Sequence, residues 1–334
     1  MPSLEVPVAL TGASATCAAA LAGVRAGRIA ESLPTLAALH ARGATADDPV
    51  SAALVAAALL DCHLARGALG EAIALGADLD GRLDLPGTAG AVAHHARGEL
   101  SAALGEDDLA VEHATTAGGR LAAGPPLADP ALVPWRAGAA LALVRVGRRR
   151  EAAALATEWY AVAVAAGSPY AEAHALRTLA TVDSSGNRVA TLRRARATLG
   201  DTPAARLAAQ VDTDLAGLLL LDPSPATGVE ALALLRSAEE YAGHQELWPL
   251  QGRVRRLLDR LGEPPRRVQS EALAALTAAE RRVARLAADG LTNRQIAEQL
   301  LVTIKAVEWH LSHVYRKLGI ASRTRLATTF GAPA

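Results

Sequence analysis

The carboxy-terminal part of the chain contains short apolar stretches, and each of them opens with a residue that caps a helix. Thr277 stands three residues before Glu280, and Thr292 stands three residues before Gln295, so both pairs predict a capping box. Thr303 is placed to cap a third helix. The predicted helices end at Asp289-Gly290, at about Leu300 and at Gly319, and Ser322 is predicted to cap a fourth.

The third of these helices has two unlike faces. Apolar residues recur at steps of four, three and four, which predicts a buried face made of Val307, Leu311, Val314 and Leu318. The opposite face carries Lys305, Glu308, Trp309, Ser312 and Arg316. In the preceding helix, Ile296 and Ala297 are predicted to face the core. Two helices joined by a tight turn, the second with a polar outward face, predict a helix-turn-helix that fits the DNA major groove.

These residues together resemble the LuxR-type (GerE-like) helix-turn-helix DNA-binding domain. The matching signs are Leu276-Thr277 before Glu280, Gly290-Leu291-Thr292-Asn293, Ile296-Ala297, Val307, His310-Leu311, Lys317-Leu318-Gly319 and Ser322-Arg323-Thr324. The resemblance implies that the bases are read by Glu308, Trp309 and Ser312. It implies DNA-backbone contacts by Asn293, Arg294, Thr303 and Lys305, to which we add Arg316 on the same outward face. It also implies a homodimer on two DNA half-sites.

The sequence departs from the usual pattern of that family at a few positions. Ala279 stands where a basic residue is usual, Ile304 where Pro is common, and Ala306 where Thr is usual. Glu308 often has a basic counterpart in the family. These differences bear on the affinity and the target sequence rather than on the fold.

Charge is distributed unevenly along a chain whose formal net charge is zero. From residue 271 onward there are nine Lys and Arg residues against five Asp and Glu, whereas the rest of the chain has 25 against 29. Both lysines of the chain, Lys305 and Lys317, lie in the basic part. A basic module on an acidic body suits a DNA-binding protein, because neutralising phosphates supplies much of the non-specific affinity.

The remainder of the chain favours helices throughout. The protein is 51% hydrophobic but only 3% aromatic, so its core has to be built from Ala, Leu and Val, and Ala and Leu have high helix propensity. Short turns that contain glycine are predicted at Gly67, Gly105, Gly147 and Gly186. The predicted helices are Ala15–Ala26, Ile29–Ala41, Pro49–Arg66, Leu69–Leu79, Ala89–Leu104, Glu106–Gly118, Ala131–Val146, Arg149–Ala166, Ala171–Val182, Arg188–Leu199, Pro203–Leu221, Gly228–Ala242 and Glu246–Leu261.

A degenerate repeat runs through these helices. Gly147-Arg148 ends one helix and Glu151-Ala152 opens the next, with weaker echoes at Arg66-Gly67 and Leu104-Gly105. This pattern predicts tetratricopeptide-like hairpins stacked into a solenoid; the alternative is an Ala-rich bundle with no true repeat. The run Asp129–Arg136 and the stretch from Glu230 to Gly262 also resemble the helical-repeat region of large MalT-like LuxR-family regulators.

An all-α protein with two domains is therefore predicted. A tetratricopeptide-like signal-receiving or interaction domain spans residues 1–262, a linker spans 263–270, and a LuxR-type helix-turn-helix domain spans 271–334. Pro264-Pro265 marks the boundary, because Pro lacks the backbone donor and clashes inside a helix. The short linker predicts a tethered module that moves relative to the body.

Several kinds of site are not expected. Full-length MalT-like regulators carry an ATPase, but the chain has no Gly-Lys-Ser/Thr phosphate loop and no Lys before Lys305, so we predict no enzyme and no cofactor. Met1 favours a short member of that group over the end of a longer one. His94, His95 and His113 lack a metal-ligand pattern and are expected to be satisfied or solvated.

Two features bear on the compartment. Cys17 and Cys62 are far apart and form no CxxC pair, so neither a disulfide framework nor a metal site is expected, and a reducing cytoplasm is predicted. The uncharged run Val6–Val24 imitates a signal peptide, but it has Glu5 where a basic residue belongs and is poor in Leu, so no membrane segment is predicted.

The predicted function is sequence-specific binding of double-stranded DNA by a transcriptional regulator, with recognition helix 303–318 in the major groove. The helical body is expected to receive a signal from a protein or a small molecule. The alternative is a helical-repeat interaction scaffold whose terminal helices dock a protein instead of DNA. The two differ in whether changes at Lys305 or Trp309 and in salt concentration alter binding.

Overall fold

The protein is described here from a computed structural model. The structure describes residues 15–43, 48–124, 127, 129–183, 186–221, 224–263, 276–300, 302–318, 323 and 326. In these residues it contains α-helices and one short 3₁₀ turn but no strand, which confirms the all-α prediction. The chain forms two compact units, Met1–Leu261 and Gly262–Ala334. The first is called the helical body and the second the carboxy-terminal module.

Thirteen α-helices make up the described part of the helical body. The first seven are α1 (Ala15–Ala26), α2 (Ile29–Ala41), α3 (Pro49–Arg66), α4 (Leu69–Asp80), α5 (Gly87–Leu104), α6 (Asp107–Ala122) and α7 (Trp135–Arg145). The other six are α8 (Arg149–Ala165), α9 (Pro169–Val182), α10 (Arg188–Leu199), α11 (Ala205–Leu219), α12 (Pro225–His244) and α13 (Trp248–Arg260). The turn glycines predicted from the sequence have positive φ, between 70° and 91°, at Gly67, Gly105, Gly147 and Gly186.

Neighbouring helices pack as consecutive antiparallel pairs. Each helix contacts the next one in the chain, and α3, α5, α7 and α9 also contact one another in succession. Small residues permit this close packing: a Cβ added at Gly118 of α6 would lie 2.5 Å from the ring of Trp135. The stacking of hairpins agrees with a solenoid, while the tetratricopeptide-like assignment stays a prediction.

The two ends of the helical body contact each other. Helix α3 packs on α13, and α1 packs on α11. One buried core contains Cys17 and Leu36 from the first hairpin together with Ala242 and Leu247 from the last. The sequence pattern does not predict this closure, because an open solenoid needs contacts between neighbouring repeats only.

Polar contacts across the same junction, which we call the seam, join residues far apart in sequence. Arg206 of α11 donates two hydrogen bonds to Asp61 of α3, at 2.5 and 2.9 Å. The Tyr241 hydroxyl donates to the carbonyl of Gly27 at 2.7 Å. Glu246, with a left-handed φ of 57°, pairs with an arginine of α3, so the turn between α12 and α13 is also tied to the amino-terminal end.

Some helices begin at residues other than the predicted ones. Helix α9 starts at Pro169 with Ser168 as its cap, and α12 starts at Pro225 with Ser224 as its cap. In both cases the Ser side chain accepts a hydrogen bond from the backbone, and Pro fits the first helical turn because its missing N–H would be unpaired there. The predicted helix from Ala131 begins only at Trp135, since residues 130–132 form a separate 3₁₀ turn.

One helix in the described part of the chain, α3, is long and apolar enough to cross a membrane. Half of it is buried inside the helical body. A core helix passes the same test of length and composition, and the position of α3 between α1, α5 and α13 is that of a core helix. The first part of the run Val6–Val24 lies outside the described residues, and the rest lies in α1.

The carboxy-terminal module contains three described helices, α14 (Ala278–Ala288), α15 (Asn293–Leu300) and α16 (Ile304–Leu318). The predicted caps form: Thr277 and Glu280 bond reciprocally, and so do Thr292 and Gln295. The predicted fourth helix after Ser322 lies outside the described residues, apart from two single positions. The core of the module consists of Leu276, Val283, Ala284, Ala287, Ala288, Ile296, Ala297, Val307, Leu311, Val314, Leu318 and Leu326.

Candidate nucleic-acid interface

Helices α15 and α16 are held together through a tight turn and a shared apolar contact. The N–H of Val302 donates to the carbonyl of Ala297 at 3.0 Å, which closes the turn after α15. The hydroxyl of Thr303 accepts from the N–H of Ala306 at 3.2 Å and so caps α16. Ile296 is completely buried against the apolar face of α16. The pair therefore has the architecture of a helix-turn-helix, with α16 as the second helix.

The outward face of α16 carries all the residues predicted to read bases. Glu308, Trp309 and Ser312 are exposed, and Trp309 has 58% of its surface accessible. Lys305 and Arg316 are exposed on the same helix and form no ion pair within the described residues. Trp309 is not among the residues of the described core, which contains the opposite face of the helix.

The hydroxyl proton of Ser312 is already used in a hydrogen bond within α16. The hydroxyl donates to the backbone carbonyl of Glu308 at 2.9 Å, the common bond of a helical serine to the previous turn. The remaining lone pairs can accept a hydrogen bond from a ligand. In this rotamer Ser312 can act only as an acceptor towards DNA.

Two imidazoles flank the exposed tryptophan. The ring of Trp309 meets His313, one turn later, edge to face with centroids 4.0 Å apart, and meets His310 at 5.0 Å. His310 is half-buried, and its Nδ1 has no hydrogen-bond partner in the described part of the chain. The contact between His313 and Trp309 was not predicted from the sequence. The spacing of four residues on a helix is the signal that points to it.

The residues predicted to touch the DNA backbone differ in their surroundings. Arg294 is largely exposed and pairs with Glu298, one turn later, at 3.2 Å. Thr303 uses its hydroxyl as the cap of α16. Asn293 is half-buried at the start of α15, and its Oδ1 accepts a hydrogen bond from Arg323 at 2.8 Å. Among these predicted backbone contacts, Asn293 is the one that a described residue from another part of the module holds in place.

A charged pair fastens α16 to α14. The ammonium of Lys317 donates to Glu280 at 2.7 Å, and the same carboxylate oxygen accepts from the N–H of Thr277 at 2.7 Å. Burial raises the pKa of Glu280, but the hydrogen bonds from Lys317 and Thr277 outweigh it and hold that pKa below its ordinary value. Lys317 therefore stabilises the packing of α16 on α14, whereas Lys305 on the outward face remains available to contact a ligand.

Among the residues that the structure describes, the other titratable and nucleophilic side chains form no assembled site. His94 and His113 approach each other with their Nδ1 atoms 3.0 Å apart, and burial lowers the pKa of each. In the described residues no group of three or more His, Cys, Asp or Glu side chains is placed to hold a metal ion. Cys62 is fully buried, and its burial together with Asp61 raises its pKa to about 12, so its thiol is unreactive.

Comparison with known proteins agrees with this geometry. Residues 274–330 match the family model described as bacterial regulatory proteins, luxR family. A protein of Mycobacterium bovis named as an HTH-type transcriptional regulator is 45% identical over 65 residues, which are 20% of this chain and 7% of that protein. The transcriptional regulatory protein LiaR of Bacillus subtilis is 40% identical over 52 residues, 16% of this chain and 25% of LiaR.

These matches are confined to a small part of each protein. A protein of Mycobacterium tuberculosis, likewise named as an HTH-type transcriptional regulator, is 43% identical over 65 residues and is covered over 7% of its length. The match to the family model contains all three described helices of the carboxy-terminal module. It begins at residue 274, after the last helix of the helical body. The LuxR-type assignment of the module is confirmed, and the MalT-like resemblance of the body stays a prediction.

Proposed function

We propose, from the luxR-family helix-turn-helix domain at residues 274–330, that this chain is a sequence-specific transcriptional regulator that binds double-stranded DNA. The observation that carries the proposal is the outward face of α16. That face presents Lys305, Glu308, Trp309 and Ser312 to solvent, while the opposite face anchors the helix in the core. A helix held in this way can enter the major groove without unfolding any part of the module.

In this proposal, three side chains with different chemistry contact the bases. Trp309 offers apolar contact to thymine methyl groups, and the carboxylate of Glu308 accepts from the N4 amine of cytosine. Ser312 accepts from a base amine through its free lone pairs, because its proton is used within the helix. The combination favours sites that contain both thymine and cytosine in the contacted positions.

In this proposal, the contacts to the DNA phosphate backbone come from Asn293, Arg294, Thr303, Lys305 and Arg316. Lys305 and Arg316 form no ion pair within the described residues, so they supply full charges for phosphate neutralisation. Arg294 shares its charge with Glu298 and contributes less. Such contacts fix the register of the module on the duplex and carry no sequence information themselves.

The remaining parts of the proposal concern assembly and regulation. Two copies bind two half-sites as a homodimer, and the helical body receives a protein or small-molecule signal. The support for a sensor role is that the body is a separate compact unit joined directly to the module. No cofactor is part of the proposal, and the place of action is the cytoplasm, where bacterial regulators of this class meet DNA.

Selection of bound sequences from a random pool of DNA duplexes tests the proposal. We expect one motif to be enriched over successive rounds, with two inverted copies if the chain acts as a dimer. A Val307→Asp variant, which places a charge in the core of the module, provides the control without an ordered α16. Absence of any enriched motif, together with salt-independent capture of a protein, would instead support the interaction scaffold.

A further inference from the structure

A groove of about 210 Å³ lies beside the exposed face of α16, entirely within the carboxy-terminal module. It is bounded by the start of α15, by α16 and by one residue that follows α16. Its lining residues are Asn293, Glu308, Leu311, Ser312, Tyr315 and Arg323. Three of them were assigned DNA contacts from the sequence, whereas Tyr315 and Arg323 were given no role in binding.

Arg323 brings a positive charge to this groove and forms no ion pair with a described carboxylate, Glu308 of the same groove included. Its guanidinium donates to Oδ1 of Asn293 at 2.8 Å and to the carbonyl of Leu291. Both acceptors are neutral, and Arg323 forms no ion pair within the described residues. The two bonds use part of its five N–H donors and hold its position, so that donors remain for an anion.

The bond from Arg323 also decides which end of the Asn293 amide is available. An amide oxygen can accept from a guanidinium, whereas an amide nitrogen can only donate and would face a second donor. With Oδ1 occupied by Arg323, the Nδ2 group of Asn293 keeps two N–H donors for a ligand. Arg323 thus acts as a positioning residue for Asn293.

Tyr315 adds a third donor to the groove. Its ring packs against the core of the module, and the residue is half-buried. Its hydroxyl makes no hydrogen bond to any described residue of the protein. A tyrosine with a buried ring and an unpaired hydroxyl at the edge of a groove is equipped to bind a polar ligand.

The carboxylate of Glu308 in the same groove restricts which anion fits. A free phosphate ion, with up to two negative charges, would be repelled by Glu308. A nucleotide within a duplex presents a singly charged phosphodiester and, on its base, an amine that a carboxylate can accept from. The groove, with one cationic wall and one acidic wall, matches the nucleotide better than the free ion.

We propose that this groove binds one phosphate of the DNA backbone. Arg323, the amide of Asn293 and the hydroxyl of Tyr315 are the donors, and Glu308 reads a base beside that phosphate. The proposal rests on the proposed function and adds Tyr315 and Arg323 to the residues that contact or position DNA. It also gives Asn293 a defined orientation.

The test measures binding of the full-length chain to the selected duplex and to an unrelated duplex over a series of salt concentrations. Tyr315→Phe removes one neutral donor, so affinity should fall about threefold to tenfold on both duplexes with an unchanged salt slope. Arg323→Gln removes a charge, so affinity should fall about tenfold or more and the slope of log affinity against log salt should fall by about one. Arg282→Gln is the matched control, because Arg282 is exposed on α14 and does not line the groove. It removes the same charge and should change the affinity and the salt slope less than Arg323→Gln does.

The outcomes separate this proposal from the function on which it rests. If the wild-type chain binds no duplex, the proposed function fails. If the wild type binds and both Tyr315→Phe and Arg323→Gln bind DNA as tightly as the wild type, the phosphate site is overturned while the proposed function stands. Should Arg323→Gln fail to fold, as judged by circular dichroism, Tyr315→Phe decides alone.

A second measurement distinguishes a DNA phosphate from a free anion. Exchange of chloride for inorganic phosphate at equal ionic strength should release DNA equally from wild type and Tyr315→Phe. Greater release from wild type would mean a free-anion site and would overturn the assignment.

Discussion

Lys305 and Trp309 lie on the same exposed face of α16 but should affect DNA binding in different ways. Lys305→Ala removes a phosphate-neutralising charge, so we expect weaker binding to every duplex and a salt slope lower by about one. Trp309→Ala removes an apolar contact to bases, so the loss, about 1–3 kcal/mol, should concentrate on the selected duplex and relax its preference at thymine positions. Fluorescence-anisotropy titrations with the selected and an unrelated duplex measure both effects.

The two variants serve as controls for each other. Both residues are exposed, so neither change should alter the stability of the module. If Trp309→Ala weakened binding to both duplexes by the same factor, Trp309 would be a non-specific contact and the assignment of base reading would be wrong. An unchanged salt slope in Lys305→Ala would remove Lys305 from the set of phosphate contacts.

Single residues were predictable from the sequence where their neighbours are local. The exposure of Trp309 follows from its place opposite Val307 and Leu311, and helix periodicity is enough to derive it. The bond between Arg323 and Asn293 was not predictable, because thirty residues separate the partners and the chain must fold before they meet. Periodicity assigns a face to each residue but does not pair residues from different helices.

Among the elements of the module, the contact between α14 and α16 should depend on pH. The pKa of Glu280 is lowered in the folded state, so its charged form stabilises the fold at any pH above the unfolded value of about 4.3. The stabilisation is then lost as the pH falls through the lower, folded-state pKa. Glu280→Gln should cost about 1–3 kcal/mol at neutral pH and should remove this acid dependence.

Hydrogen exchange of the amides in α14 and α16 of the full-length chain, corrected for intrinsic rates, measures the effect between pH 3 and 7. Glu298→Gln is the matched control, since Glu298 forms an exposed pair with Arg294 on α15. Surface pairs of this kind contribute little to stability. Equal loss of protection in the two variants would mean that the Glu280–Lys317 pair does not fasten α16 to α14.

Helix boundaries could be derived from the sequence where a cap and a glycine stand at the two ends. Thr277 and Gly290 are such a pair, and the observed α14 agrees with them. Helices α9 and α12 begin two or three residues before the predicted starts, at Pro169 and Pro225. Their Ser-Pro openings were not used as start signals, although Pro49 was predicted to open α3 and does so. In both helices Pro occupies the first turn, where its missing N–H would be unpaired.

At the scale of the whole helical body, the ion pair between Asp61 and Arg206 should stabilise the seam. Burial by itself disfavours the charge on Arg206, but Asp61 outweighs that effect and raises its pKa above the ordinary value. Asp61→Asn leaves this guanidinium without its counter-charge, so we expect a loss of about 1–2 kcal/mol. That loss corresponds to a thermal midpoint lower by about 2–8 °C for a unit of this size, measurable by calorimetry.

Glu230→Gln is the control for this change. Glu230 of α12 pairs with Arg193 of α10 through two hydrogen bonds, as Asp61 does with Arg206, but this pair is exposed to solvent. Its removal should lower the midpoint by less than about 1 °C. A larger effect for Glu230→Gln than for Asp61→Asn would show that the seam contributes no particular stability.

The closure of the helical body on itself has a consequence for its synthesis. Tyr241 bonds to a residue 214 positions earlier, so the first hairpin leaves the ribosome long before its partner exists. At typical elongation rates the wait is roughly 10–40 s. Throughout that interval the apolar side of the first helices has no cover, which makes the nascent chain a natural client for chaperones. An open solenoid can be shortened at its last repeat, whereas the same truncation here would also uncover the first.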